Sequence, residues 1–405
     1  MLSKRLRIWI VGVLFLASVI YLFRQDLIFK PYHYYRSLSA NIEKITLEIP
    51  IDDFLYIDSL RNDVLKTQIV KSSHKSFVKA VLTIDDKILD VKIRLKGDQL
   101  DHYQTNPPSY RVRTLKNKTV LGTNKFSLQY FGARNFMPEW IFHKILEQHD
   151  ILSLHTDVVE LNVNQNKTVC TFEEHFTHHL TDRFNRPRGP IICISEDVLW
   201  NNGVLNDSVK YETPKEIYFN SPIKEFNYYA VLDSNVRASA KALLNDFRNN
   251  KREISEVFDI ERLAIHMAIS ELTNTHHGLN WHNRRFYYNP SSRRLEPIGF
   301  DGSSWHTKSD FAYDNPSLNY LKWSGLYVNK QFVDAYLGHL ERISKEIYLD
   351  DFFRQNSIEI YELENRIYKK NLFHSSDYQY IYRNAQWIRE NINDYKSRLL
   401  ISLKG

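Results

Sequence analysis

The chain has 405 residues, 43% hydrophobic and 14% aromatic, with a formal net charge of +6. That composition supports a sizeable core in one or two domains and excludes a disordered or low-complexity chain. Gly and Pro number only 12 each, which excludes long flexible linkers, and the basic residues are scattered, so nucleic acid is not an expected partner.

At the N-terminus Lys4, Arg5 and Arg7 precede an uncharged apolar run from Ile8 to Phe23, sixteen residues long. As a helix this run spans about 24 Å. A hydrocarbon core is roughly 30 Å thick, so spanning requires bilayer thinning and snorkelling arginines. No convincing cleavage site follows. The pattern therefore predicts an uncleaved single-pass membrane anchor over residues 1–30, with the N-terminus cytoplasmic and the main domain outside, and a juxtamembrane linker over 31–45.

From residue 46 onward the dominant period is two. Val91, Ile93 and Leu95 alternate with Asp90, Lys92 and Arg94 in a hairpin that turns at "DDK". "SYRVRTL" and "NKFSLQY" read as further strands. Pro138 with "EWIFHKILEQH" reads as a helix carrying proline in its first turn. "DVVELNVNQNKTVCTFEEHF" reads as another hairpin, turning at Asn164, Gln165 and Asn166. Residues 46–220 thus form a predicted β-rich lobe. Cys170 and Cys193 within it are open to pairing or to remaining free.

Residues 221–405 form a predicted α-rich lobe. In "DIERLAIHMAISELTN" Asp259 is the expected N-cap, and Leu263, Met267, Ile269 and Leu272 are expected to be buried. This helix leads to "NTHHGLNWHN". "RRFYY" and "RLEPIGF" then flank the turn "NPSS" as a hairpin. Asn283 precedes the first strand and Asp301 follows the second, so the ribbon returns an amide oxygen and a carboxylate to one end. Oxygen donors of this kind suit Mg²⁺ or Mn²⁺. Both residues are also ordinary turn formers. The overall class expected is α+β.

"HNRRFYYNPSSRRLEPIGFD" resembles the signature of the CotH-like atypical kinases, and "IRLKGD", "SYRVR", "LGTNKFSLQ", "RNFMPEWIFHKIL", "VVELNVN", "EEHF" and "RPRGPI" agree with that family in order. The resemblance covers roughly residues 75–310. It implies a protein-kinase-like fold, metal-dependent ATP binding and phosphate transfer to protein hydroxyls. Residue by residue, it implies metal ligation by Asp301 and Asn283. It also implies a glutamate that organises a phosphate-binding cation, Glu174 or less favourably Glu173.

Two family features are missing. Pro107 and Pro108 stand where a lysine is usual, leaving Lys96 as the nearest substitute. No aspartate lies between Asn274 and Asn283, leaving His277 or His276 as the base. The chain therefore reads as a divergent kinase or as a pseudokinase or scaffold that kept the framework, with a protein as substrate or partner. A third reading is a metal-dependent hydrolase built on His276, His277, His282, Asp301 and His306. His175, His178 and His179 are spaced for one helix face but lack a defined carboxylate.

Overall fold

The computed structural model describes residues 4–24, 29–134, 136–197, 215–226, 233–302 and 308–403. Seven strands close into a barrel: β1 (Lys44–Glu48), β2 (Val78–Ile84), β3 (Lys87–Leu95), β4 (Tyr110–Thr114), β5 (Lys125–Tyr130), β7 (Thr156–Val163) and β8 (Asn166–Glu174). Their order around the barrel is β1-β2-β3-β4-β5-β8-β7. The neighbours are antiparallel except β1 and β7, whose parallel pairing closes the ring.

The alternation read in the sequence sets the barrel's two faces. Leu82, Val91, Ile93, Leu95, Val112, Phe126, Leu128, Leu161 and Phe172 share the buried interior. Helix Ile51–Thr67 packs Ile57 and Val64 into the same core. The β7–β8 hairpin turns through Asn164 and Gln165, both at positive φ (44° and 76°), as a two-residue turn with the strands' own twist requires.

A second sheet of five strands has the order β10-β9-β11-β12-β6, from β6 (Leu152–Ser153), β9 (Ile191–Ile194), β10 (Ile223–Glu225), β11 (Arg285–Asn289) and β12 (Arg294–Gly299). Helices Phe136–Gln148, Ser234–Arg248 and Ile260–Leu272 pack on it, and Lys330–Ile343 and Gln379–Ser402 pack in turn on Ile260–Leu272. Helix Ile260–Leu272 is buried on all sides, with Leu263, Met267, Ile269 and Leu272 fully enclosed, and Asp259 caps it by accepting from Arg262 N at 3.1 Å. Cys170 and Cys193 are both buried and free.

Several expectations are corrected. The kinase-like fold with a transmembrane helix is not what forms, because the β-rich part is a closed seven-stranded barrel. Among the described residues no helix is long and apolar enough to cross a membrane. The N-terminal helix Lys4–Arg24 has 21 residues, but its uncharged apolar stretch is only Ile8–Phe23, hemmed by Arg7 and Arg24. The predicted anchor, the membrane as partner and the single-pass localisation with an extracytoplasmic domain therefore lose their basis.

Residues 31–45 are not a linker. Helix Lys30–Leu38 docks on helix Ser357–Tyr368, where Arg36 bonds Asn365 Oδ1 (2.6 Å), Glu364 Oε2 (3.1 Å) and Tyr361 O (3.0 Å). Residues 44–48 then supply the strand that closes the barrel. The boundary at 220 is also not clean, since β6 and β9 belong to the second sheet.

Candidate active site

Arg94, Arg111, Ser127 and Glu173 stand in register across β3, β4, β5 and β8 on the barrel's outer face. Lys96, one residue past β3, keeps that parity. Its Nζ lies 3.3 Å from Glu173 Oε2 and also donates to Gln129 Oε1. Both ends of the pair are buried. Ser127 Oγ donates to Glu173 Oε2 at 3.2 Å.

Arg134, in the turn after β5, carries the charge chain out of the barrel. Its Nη1 donates to Glu173 Oε1 and, at 3.2 Å, to Glu139 Oε1 on helix Phe136–Gln148, while its Nε lies 3.1 Å from Asp301 Oδ1. Its guanidinium also lies over the Phe300 ring, 4.6 Å from the centroid.

Asp301 leaves β12 in the left-handed region (φ 56°), which aspartate tolerates better than most residues. The short helix His276–Leu279 packs directly on this point. A Cβ on Gly278 would meet Phe300 O at 2.5 Å, so only glycine permits the approach. That contact sets His277 Nε2 3.0 Å from Asp301 Oδ2. Asn283 Nδ2 donates to His277 O at 3.1 Å. The hairpin thus brings Asn283 and Asp301 to one end, as its spacing predicts, with His277 as the link between them.

The electrostatics follow from too many cations around too few buried acids. Burial alone raises Glu173, but Arg134, Lys96 and Arg111 outweigh it and hold the carboxyl at about 2. Burial likewise opposes ionisation of Asp301, and Arg134 and the His277 bond reverse this, keeping it well below the usual carboxylate range. Lys96 is lowered to about 8, first by burial, which Glu173 opposes, and then by repulsion from Arg134 and Arg111. Both partners are thus lowered, because Arg134 and Arg111 favour the ionised Glu173 and disfavour the protonated Lys96. His277 is raised, chiefly by its hydrogen bond to Asp301.

These placements sort the predicted residues. Lys96, expected as a substitute, does meet a glutamate, but that glutamate is Glu173. Glu174 faces away and is bound by His155 N (3.0 Å) and Arg183 Nη2 (2.9 Å). Adjacent strand residues point to opposite faces, so only one of the two acids can reach Lys96. His276 is not at this site either, because its Nε2 bonds Glu271 Oε2 at 2.8 Å inside the helical core. His277, expected as a substitute base, meets Asp301. However, its bond to Asp301 favours the protonated imidazole, which works against its acting as a base.

The hydrolase set does not assemble. His276 turns away, and the His282 ring is mostly buried and lowered to about 4, first by burial and then by His277 and Arg285. His306 lies outside the described residues. Among the described residues, the ligand-type group with metal-compatible mutual distances is His178, His179 and Asp182, all within 4.8 Å. His175 is not part of it, since the helix begins at His178. Sequence reasoning passed over Arg134, Glu139, Gln129 and Glu173 as the leading residues of the site.

The donors Asp301 Oδ and Asn283 Oδ1 are of the hard-oxygen kind that Mg²⁺ or Mn²⁺ takes, and a carboxylate has about four acceptor positions, of which Arg134 and His277 use two. The donor set therefore fits a divalent ion. Space is scarcer. The cavity bordered by Gln129, Arg134, Phe136, Glu139, Thr156 and Thr171 measures about 10 Å³, room for roughly one water. A wider groove of about 520 Å³ is bordered by Asn41, Ile42, Glu43, Lys44, Thr46, Thr83 and Asp85 and shares no residue with the charge chain. Ligand pockets usually offer about 300–1,000 Å³, far more than the cavity beside Arg134.

Replacing Asp301 with asparagine is expected to lower the His277 pKa, as an NMR titration of its ring proton would read. The sign follows from the raised folded value. The contribution of the pair to stability is complete below about pH 6.5 and is lost as pH rises through the folded pKa. An unchanged His277 titration in Asp301→Asn would mean that the pair does not persist in solution. No protein-family model and no curated protein matches this chain.

Proposed function

We propose that this chain is a CotH-like atypical kinase that binds ATP with Mg²⁺ or Mn²⁺ and transfers phosphate to a protein hydroxyl. The observation that supports it is the unbroken run of charge from Lys96 through Glu173 and Arg134 to Asp301, which ties the barrel face to the metal-type loop. Lys96, steadied by Glu173, is the group to pair with phosphate oxygens. A divalent ion on Asp301 and Asn283 would neutralise phosphate charge. Asp301 remains ionised throughout the physiological range, and Asn283 fixes the His277 backbone that braces it. His277, with 56% of its side chain exposed, bonds Asp301, and that bond favours its protonated form. The absence of an aspartate base between Asn274 and Asn283 weighs less here than in other chemistry, because phosphoryl transfer rests mainly on positioning and electrostatics.

One observation favours a second reading, a pseudokinase. Arg134 already occupies one oxygen of Asp301, and the adjoining cavity is about 10 Å³. Incubation with labelled ATP and manganese, comparing wild type with Asp301→Ala, separates the two. Label incorporation that disappears in Asp301→Ala supports the kinase. Nucleotide-dependent thermal stabilisation without incorporation supports the pseudokinase. No thermal response to nucleotide plus metal overturns both.

A further inference from the structure

The outer face of the barrel carries more positive charge than its acids can match. Arg94 stands directly opposite Arg111, Lys92 opposite Arg113, and Arg113 opposite Lys125. Like charges directly across a strand pair repel, so three such pairs in adjacent register work against the fold. Of the acids near these cations, Glu173 is already held by Lys96 and Arg134 and Asp98 by Lys75, while Asp90 shares the face of β3 with Lys92 and Arg94. Among the described residues Arg111 and Lys125 have no ion pair. Arg111 Nε is shielded from solvent without a hydrogen-bond partner. Arg94 donates only to the Leu95 carbonyl, at 2.8 Å.

The second sheet adds a fourth cation. Arg285 lies over the rings of Phe226 (4.8 Å), Phe300 (4.9 Å) and Phe176 (5.6 Å), and its guanidinium donates to the carbonyls of His282 and Arg284 rather than to an acid. His175 joins the two sides. It follows β8, donates its backbone N–H to Lys125 O at 3.1 Å, and packs its ring on Phe176 and Phe226. After burial, the charges of Arg111, Lys125, Arg94 and Arg285 hold its ring neutral. Burial, then Arg111, Arg94 and Arg113, lower Lys125 to about 7; burial lowers Arg111 to about 9, with Glu173 opposing it and Arg94 and Arg134 adding to it.

We infer that Arg94, Arg111 and Lys125, with Arg285 opposite, form a phosphoryl-binding site separate from the Lys96–Glu173 pair. Each of these cations offers N–H donors, and a phosphoryl dianion would relieve the cross-strand repulsion that Glu173 and Asp98 offset only in part. The ligand chemistry is a phosphate monoester or polyphosphate, from a phosphorylated acceptor or from the phosphate tail of a nucleotide. The site stands on the cation geometry and does not require phosphotransfer.

Calorimetric titration of the full chain with tripolyphosphate, ATP and a phosphoserine peptide, at two salt concentrations, tests this. Tripolyphosphate is expected to bind and to weaken about tenfold or more in Arg111→Gln and in Lys125→Gln. ATP or the phosphopeptide, whichever weakens in parallel, identifies the source. Thermal unfolding of the ligand-free variants supplies the second readout. Relief of repulsion is expected to raise their melting temperature by on the order of 1 °C, whereas a merely structural role would lower it. No tripolyphosphate binding, or binding unchanged in both variants, overturns the site, as does destabilisation of both ligand-free variants. Failure of ATP transfer with tripolyphosphate binding intact would overturn the kinase reading alone.

Discussion

Replacing Glu173 with glutamine is expected to destabilise the protein by roughly 3–5 kcal/mol, the usual consequence of leaving buried cations without their anion. Lys96 and Arg134 both bond this carboxylate, and Arg111 feels it, so one substitution strands more than one charge. Glu174→Gln is the control. Its partner Arg183 is 31% exposed and can be rehydrated, and a glutamine oxygen can still accept from His155 N, so a change below about 1 kcal/mol is expected. Urea denaturation of both variants reads the difference. Equal losses would mean that the charge chain does not organise the barrel's outer face. The pH profile offers an independent check. Glu173 titrates at about 2 when folded, below the ordinary value near 4.3, so its contribution is present above pH 4.3 or so and is lost as pH falls toward 2. Glu173→Gln should flatten that acid limb.

How much of this could be read from the sequence depended on whether the signal was periodic. The hairpins β2–β3, β7–β8 and β11–β12 fell on their predicted stretches to within two residues, because alternation fixes both the strand and its faces. The same parity would have chosen between the paired glutamates. Cys170 and Phe172 enter the barrel core, so Glu174 shares their parity and Glu173 shares that of Thr171 on the outer face. What parity alone withholds is which side is the core. β1 straddled the supposed linker boundary at 45 unrecognised because "KITLE" is only five residues long, and its importance is purely tertiary, since it bonds β2 on one side and β7 on the other. Arg134 carried no local signal. It sits in a turn and finds its acids 5, 39 and 167 positions away. The choice between His276 and His277 was undecidable by spacing, because a tight helical turn rotates successive side chains by about 120° and sends one inward and one outward.

Glu271→Gln is expected to be at least as damaging, again roughly 3–5 kcal/mol, although it lies away from the phosphate-type groups. Glu271 and Lys308 are both fully enclosed, with side chains 0% exposed. The one carboxylate accepts from His276 Nε2 (2.8 Å), Ala312 N (2.8 Å), Tyr336 Oη (2.6 Å) and Lys308 Nζ. These donors come from three different stretches of chain, and Lys308 N is in turn held by Asn384 Oδ1 at 2.8 Å. A glutamine cannot satisfy all of them, because one of its two ends is itself a donor. The residue was legible after all. Glu271 falls four places after Met267 and eight after Leu263 on the apolar side of its helix, where an acid needs a partner. Burial opposes its ionisation, but Lys308 and His276 hold it well below the usual carboxylate range, so its contribution is present above about pH 4.3 and is lost on further acidification. The substitution also reaches the candidate active site. Without Glu271 the anchor of His276 goes, and with it the fixed position of His277 against Asp301. Amide exchange should therefore quicken across residues 276–283 in Glu271→Gln while the barrel strands keep their protection. Uniform loss of protection, barrel included, would show instead that the network stabilises the whole chain and does not specifically brace the loop.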